Sequence, residues 1–105
     1  MSITTNGTSL IGYTTQGYTP EAIAAALHDA SDEVELRTAD DFFDDKVTVE
    51  FVAKILGTTV TIYNYKATTQ DMVDAMNGEY EWHVGGFDEN AVLVLDAIGI
   101  DSRLR

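Results

Sequence analysis

The clearest pattern of hydrophobic residues predicts a helix over residues 20–30. Apolar residues recur there at positions i, i+3, i+4 and i+7, the spacing of one buried helical face: Ile23, Ala26, Leu27 and Ala30. Thr19 precedes the segment as an N-cap hydroxyl. Pro20 suits the first helical position because its missing N–H would have no partner there. We therefore expect this helix to pack one apolar stripe against the core.

Two further helices are predicted by the same kind of spacing. One covers about residues 49–56, where Gly57 is free to take the left-handed conformation that ends many helices. The other covers residues 70–76, with Thr69 as its N-cap and Asn77 and Gly78 as its stop.

Alternation of apolar and polar residues predicts the strands. Residues 10–15 and 34–36 are short candidates, whereas residues 58–65 are rich in the β-branched and aromatic residues that strands favour. In this third strand Val60 and Ile62 face one way. Tyr63 and Tyr65 face the other way, toward a second buried layer or an exposed contact face.

A C-terminal β-hairpin is predicted over residues 80–95. Its first strand, residues 80–84, places Tyr80 and Trp82 on one core-facing side. Gly85 and Gly86 begin the connection, and residues 91–95 form a second strand that is apolar on both faces. Together these elements predict one α+β domain over residues 1–105, with a mixed or antiparallel sheet of four to five strands and about three short helices.

The composition is that of a globular protein with a strongly acidic surface. The chain has 105 residues, 45% hydrophobic and 23% charged, and its 18 acidic and 6 basic side chains give a net charge of −12. Such a surface repels phosphate backbones, so direct nucleic-acid binding is not expected. Cysteine is absent, which excludes disulfides and thiol chemistry. No apolar run reaches about 18 residues and no signal-like N-terminus is seen. We therefore expect no membrane contact and a cytoplasmic protein, in the host cytoplasm if it is viral.

The acidic residues are clustered along the chain. Residues 29–50 hold nine acids and two bases, net −7, whereas the other 83 residues hold nine acids and four bases, net −5. If residues 40–45 form a helical turn, two like-charged pairs stand four residues apart, each destabilising by about 0.2 to 0.5 kcal/mol. A basic protein surface would offset this repulsion. We therefore predict a partner-binding set of Asp40, Asp41, Asp44, Asp45, Glu33, Glu35, Tyr63 and Tyr65.

Two other interpretations of the cluster stay open. One is a solvated acidic loop held to the core by Phe42 and Phe43, since charge runs are usually solvated. The other is weak binding of a divalent cation by the clustered carboxylates.

The sequence contains no recognisable catalytic arrangement. His28 and His83 lack the short spacing of histidine metal ligands, and no serine stands in a nucleophile elbow. His28 is expected on the surface, and His83 is expected to face water or a cross-strand glutamate. We predict a protein that is not an enzyme and uses no cofactor or metal.

Three classes of function remain. In charge and size the chain resembles small acidic inhibitors that imitate the phosphate rows of nucleic acid, a kind that phages encode against restriction, CRISPR or transcription machinery. This resemblance implies a partner protein with a basic, nucleic-acid-binding surface. The first alternative is a salt-adapted soluble domain or a virion structural or assembly domain, and the second is a small metal-dependent factor or enzyme. Because salt adaptation should spread acids over all exposed faces, the clustering favours the inhibitor. A homodimer stays open.

Overall fold

Six strands form one antiparallel sheet in the computed structural model, which describes residues 7–38, 49–64 and 69–105. The strands are β1 (Ser9–Thr14), β2 (Glu33–Thr38), β3 (Val49–Ile55), β4 (Thr58–Tyr63), β5 (His83–Gly86) and β6 (Ser102–Leu104). Their order across the sheet is β2-β3-β4-β5-β1-β6. Every neighbouring pair is antiparallel. The first strand of the chain therefore lies between the fifth and the last.

Three helices cover one face of this sheet: α1 (Pro20–Ala30), α2 (Thr69–Met76) and α3 (Asn90–Ala97). The core lies between them and the sheet, and each helix contributes to it, for example through Leu27, Ala75 and Leu95. The face turned away from the helices is called the outer sheet face below. None of the helices in the described ranges is long and apolar enough to cross a membrane.

The predicted α+β class is confirmed, with six strands in place of the predicted four to five. Helix α1 has the predicted bounds, and the Thr19 hydroxyl accepts a hydrogen bond from the Ala22 amide (3.1 Å). Strands β1, β2 and β4 and helix α2 also lie where local patterns predicted them. Strand β4 ends at Tyr63, and Tyr65 lies outside the described residues.

The helix predicted over residues 49–56 is wrong, because this segment is strand β3. Leu56 and Gly57 have φ angles of 50° and 81°, and Ile55 pairs with Thr58 around them. Two residues with positive φ between paired strands form the tight turn that suits the twist of a β-hairpin. Gly57 takes a left-handed conformation as predicted, but it does so in a hairpin turn.

The predicted C-terminal hairpin is also wrong. Residues 91–95 belong to helix α3, whose first amide, at Asn90, donates a hydrogen bond to the Asp88 carboxylate (2.9 Å). Gly85 and Gly86 lie inside β5 and do not begin a connection. A Cβ at Gly86 would lie 2.6 Å from the Ala91 Cβ. This glycine therefore lets α3 pack closely on the sheet. Close approach of a neighbouring element is, like a turn, a reason for a glycine in or beside a strand.

Candidate functional site

Three of the predicted partner-binding residues lie on the outer sheet face. Side chains alternate along a strand, so the residues between the core residues of β3 point outward. Each of the three pairs in register with one of those outward residues: Glu33 with Lys54, Glu35 with Val52, and Tyr63 with Glu50. The rest of the set lies outside the described residues: Asp40, Asp41, Asp44, Asp45 and Tyr65. The binding role of the set stays a prediction.

One row of the outer sheet face crosses all six strands. From β2 to β6 its register positions are Arg37, Glu50, Tyr63, His83, Tyr13 and Arg103. The His83 ring stacks on the Tyr63 ring at a centroid distance of 5.3 Å and meets the Tyr13 ring edge-on at 5.1 Å. The Arg103 guanidinium lies 5.9 Å from the centre of the Tyr13 ring. The middle of the row is thus a packed aromatic cluster.

His83, which is expected to face water or a cross-strand glutamate, has no glutamate opposite it in the register. Its neighbours across the sheet are the two tyrosines, and it is half-buried between them. Burial lowers the pKa of His83 from its ordinary value near 6.5, and a hydrogen bond with the Tyr63 backbone partly offsets this effect.

The lowered pKa makes stability depend on pH. Because the unfolded chain takes up this proton more readily, the contribution of neutral His83 is present above about pH 6.5 and is lost as the pH falls through the folded-state pKa. The free energy of unfolding should therefore fall more steeply for the parent than for His83→Phe, which keeps an aromatic ring but does not titrate. Urea denaturation between about pH 7 and pH 5 measures both slopes. Equal slopes would show that His83 protonation is not linked to folding.

The described part of the outer sheet face carries charges of both signs. Lys54 stands opposite Glu33 in the register, whereas Glu35 stands opposite the uncharged Val52. At the far edge the Arg103 guanidinium forms an ion pair with the Glu81 carboxylate (2.8 Å). This face therefore does not account for the net charge of −12.

The helical side is acidic instead. The three described helices contain no lysine or arginine, and they carry five acids: Glu21, Asp29, Asp71, Asp74 and Asp96. Glu21, Asp29 and Asp96 are exposed. The three described helices thus give the helical side a net negative charge.

A groove on this side separates the start of α1 from α2. Two cavities of about 170 and 320 Å³ adjoin there and share Pro20 and Met76 as lining residues. The smaller one is also lined by Val49, Asn64, Met72, Ala75 and Trp82, and the larger one by Thr19 and Glu21. Met72 is 50% exposed and Met76 is 75% exposed. We call this feature the α1–α2 groove; its lining is largely apolar and includes one carboxylate, that of Glu21.

Trp82 fixes the floor of the groove. Its indole N–H donates a hydrogen bond to the Tyr18 carbonyl oxygen (3.1 Å), and its backbone N–H donates to the Thr14 hydroxyl (3.0 Å). The Asn64 side-chain oxygen accepts a hydrogen bond from the Val49 amide (3.0 Å), which holds a second part of the lining. A fixed floor between flexible methionine side chains suits an apolar side chain of variable shape.

No local pattern in the sequence predicts this groove. The sequence signal nearest to it is the pair Met72 and Met76 on a short helix, which periodicity assigns to the core. Only the burial of Ala75, with the methionines left exposed, shows that α2 turns another face to the sheet.

Among the residues that the structure describes, no group of three or more histidine, aspartate or glutamate side chains is placed to hold a metal ion. His28 and His83 lie apart, on α1 and on β5. Comparison of the chain with protein-family models, with curated proteins and with solved structures gave no match.

Proposed function

We propose that this protein is an acidic binding domain without catalytic activity, and that it recognises a basic protein surface through its helical side. One observation carries the proposal: the α1–α2 groove combines exposed methionines with Glu21, on helices that contain no lysine or arginine. The net charge of −12 favours one form of this function. In this form the protein imitates nucleic acid and thereby inhibits its partner.

The size of the groove supports one apolar anchor. An engineered cavity of about 150 Å³ is large enough to bind benzene, and the smaller cavity here has about 170 Å³. One leucine, methionine or phenylalanine side chain of the partner therefore matches this space. A buried apolar anchor surrounded by polar contacts is the usual arrangement of the residues that dominate binding energy.

The distribution of charge supports a basic partner over salt adaptation. A salt-adapted surface spreads acids over every exposed face, whereas the described part of the outer sheet face also carries the bases Lys54 and Arg103 beside its acids. An acidic side opposite a side of mixed charge orients an approaching basic protein and speeds association.

The carboxylates of Asp40, Asp41, Asp44 and Asp45 belong to the same proposal as a second region of negative charge. Charges around a binding site act mainly on the association rate and on its salt dependence. In this proposal the groove supplies contact energy, and the cluster supplies attraction at longer range.

Binding of two designed peptides tests the groove. One is a lysine-rich peptide with a single central leucine, and the other has serine in place of that leucine. The leucine peptide should bind more tightly and should alter the fluorescence of Trp82, the one tryptophan of the chain. Met76→Ser should weaken the leucine peptide about fivefold to tenfold, equivalent to roughly 1 to 1.4 kcal/mol. Fluorescence titration and calorimetry give the affinities.

Matched variants separate the groove from general attraction. Leu93→Ser removes an exposed apolar side chain of α3 outside the groove and should leave both affinities unchanged. Glu21→Gln should weaken binding more than Glu33→Gln, which removes a charge from the outer sheet face. If the serine peptide binds as tightly as the leucine peptide, the groove is not the site. An Asp40, Asp41, Asp44 and Asp45→Asn variant in the same titration then reports whether the cluster alone binds.

A further inference from the structure

Helix α2 leaves both of its methionines exposed at the α1–α2 groove. Met72 lines the smaller cavity, and Met76 lines both. The two residues stand four positions apart, so they lie on the same side of the helix. The buried contact of α2 with the core is made by Ala75, between them in the sequence. Solvent therefore reaches both thioether sulfurs, and the packing of α2 rests mainly on another side chain.

These two sulfurs are the groups of the described chain that an oxidant reaches most readily. The chain has no cysteine, so no thiolate competes for a peroxide. The third methionine, Met1, lies outside the described residues. The one tryptophan, Trp82, is buried in the core. Among the described residues, a peroxide therefore meets its best substrates in the lining of the groove.

Oxidation of methionine by hydrogen peroxide is a two-electron transfer of one oxygen atom. The lone pair of the thioether sulfur attacks one peroxide oxygen, and the S–O bond forms as the O–O bond breaks. The proton on the transferred oxygen passes to the other oxygen, which leaves as water. The sulfur is oxidised and the peroxide is reduced, so the products are methionine sulfoxide and water.

A sulfoxide changes what the groove can bind. Its oxygen is a strong hydrogen-bond acceptor, and in the free protein water satisfies it because both methionines are exposed. The smaller cavity is otherwise lined mostly by apolar groups, among them Val49, Ala75 and Trp82. A leucine side chain placed there would displace the water and offer no donor in return, which leaves a polar group without a partner. Oxidation therefore penalises the bound state and leaves the free folded state nearly unchanged.

We propose that Met72 and Met76 form an oxidation site, and that their conversion to sulfoxides by hydrogen peroxide lowers the affinity of the α1–α2 groove for an apolar anchor. The effect on binding rests on the function proposed above for the groove. Because methionine sulfoxide reductases return each sulfoxide epimer to the thioether, the loss of affinity is reversible.

Peroxide treatment followed by peptide mapping tests the site itself. In dilute hydrogen peroxide Met72 and Met76 should each gain one oxygen atom, and Met76, the more exposed of the two, should react no more slowly than Met72. The melting temperature should change by no more than about 4 °C, the size of effect that a surface substitution has. If both sulfurs stay reduced while free methionine in the same solution is oxidised, or if oxidation unfolds the protein, the proposal is wrong.

Titration with the two lysine-rich peptides tests the effect on the groove. The leucine peptide should bind the oxidised protein at least about fivefold more weakly than the reduced protein, and the serine peptide should lose little affinity. Treatment with methionine sulfoxide reductases for both epimers should restore binding. A Met72→Leu, Met76→Leu double variant keeps apolar side chains of similar volume without sulfur. Whatever its own affinity for the leucine peptide, that affinity should not change after peroxide.

The outcomes separate this inference from the function proposed for the groove. If the reduced parent does not prefer the leucine peptide, the groove is not the binding site and the effect of oxidation on binding fails with it, whereas peptide mapping still decides the oxidation site. If the reduced parent prefers the leucine peptide and the oxidised parent binds it equally well, only the present inference fails. An equal loss in the parent and in the double variant also overturns it, because another residue is then the one oxidised.

Discussion

Replacing Trp82 with alanine is expected to lower the free energy of unfolding by about 3 to 5 kcal/mol, the usual cost of removing a buried aromatic ring. The side chain is 1% exposed, and its ring meets Phe51 and Tyr80 edge-on at centroid distances of 6.2 and 5.3 Å. The variant also removes the donor to the Tyr18 carbonyl oxygen. Because the free energy of unfolding of a small domain is only about 5 to 15 kcal/mol in total, this variant should retain only a small part of it.

Urea denaturation followed by circular dichroism measures this loss, since the variant has no tryptophan to report by fluorescence. Trp82→Phe keeps an aromatic ring but loses the N–H donor and some volume, so its loss should be smaller. Leu93→Ala, at an exposed position of α3, should change stability by no more than about 0.5 kcal/mol. A Trp82→Ala variant no less stable than Leu93→Ala would place Trp82 outside the core.

Adding one methyl group at Gly86 should cost about 1 to 3 kcal/mol, the range observed for overpacked cores. The new Cβ would lie 2.6 Å from the Ala91 Cβ, too close for two carbon atoms, and its next neighbours are at ordinary distances of 3.4 and 3.6 Å. The conflict of Gly86→Ala is therefore with a single methyl group of α3.

Removing that methyl group should relieve the conflict. In the Gly86→Ala, Ala91→Gly double variant the total loss should be smaller than the sum of the two single losses, although Ala91→Gly alone costs up to about 1 kcal/mol through helix propensity. Denaturation of all four proteins gives the coupling energy of the double-mutant cycle. Additive losses would contradict the close approach of α3 to β5.

The elements that could be predicted from the sequence are those whose signals are local. Helix α1 has its cap, its proline and its apolar stripe within a dozen residues, and in the structure it begins and ends at the predicted residues. Strand β4 is filled with residues that favour strands, so its type was also predictable.

Elements buried on both faces could not be identified in the same way. In β3, Val52 is buried on the outer sheet face while Phe51 and Ala53 are buried in the core, which removes the alternation that marks a strand. The segment then resembles a helix with apolar residues three and four apart. The sequence of helix α3 also predicts a strand because short apolar runs fit both structures, and β6 is too short to carry a pattern.

The candidate sites also differ in whether a local sequence pattern predicts them. A period of two places Glu33, Glu35 and Tyr63 on one face once the register is known. The α1–α2 groove depends on the meeting of Pro20 with Met76, which are far apart in the sequence, and no local pattern predicts that contact.

The strand order also sets an order of events during folding. Strands β2, β3 and β4 pair with neighbours in the sequence, whereas every residue that pairs with β1 lies at least 70 positions later in the chain than its partner. Closing such long loops costs chain entropy before any contact repays it. On the ribosome β1 therefore emerges first and must remain unpaired until β5 and β6 have been synthesised. During that interval both edges of β1 are unpaired in the nascent chain, so a chaperone or a neighbouring chain would find them open to binding.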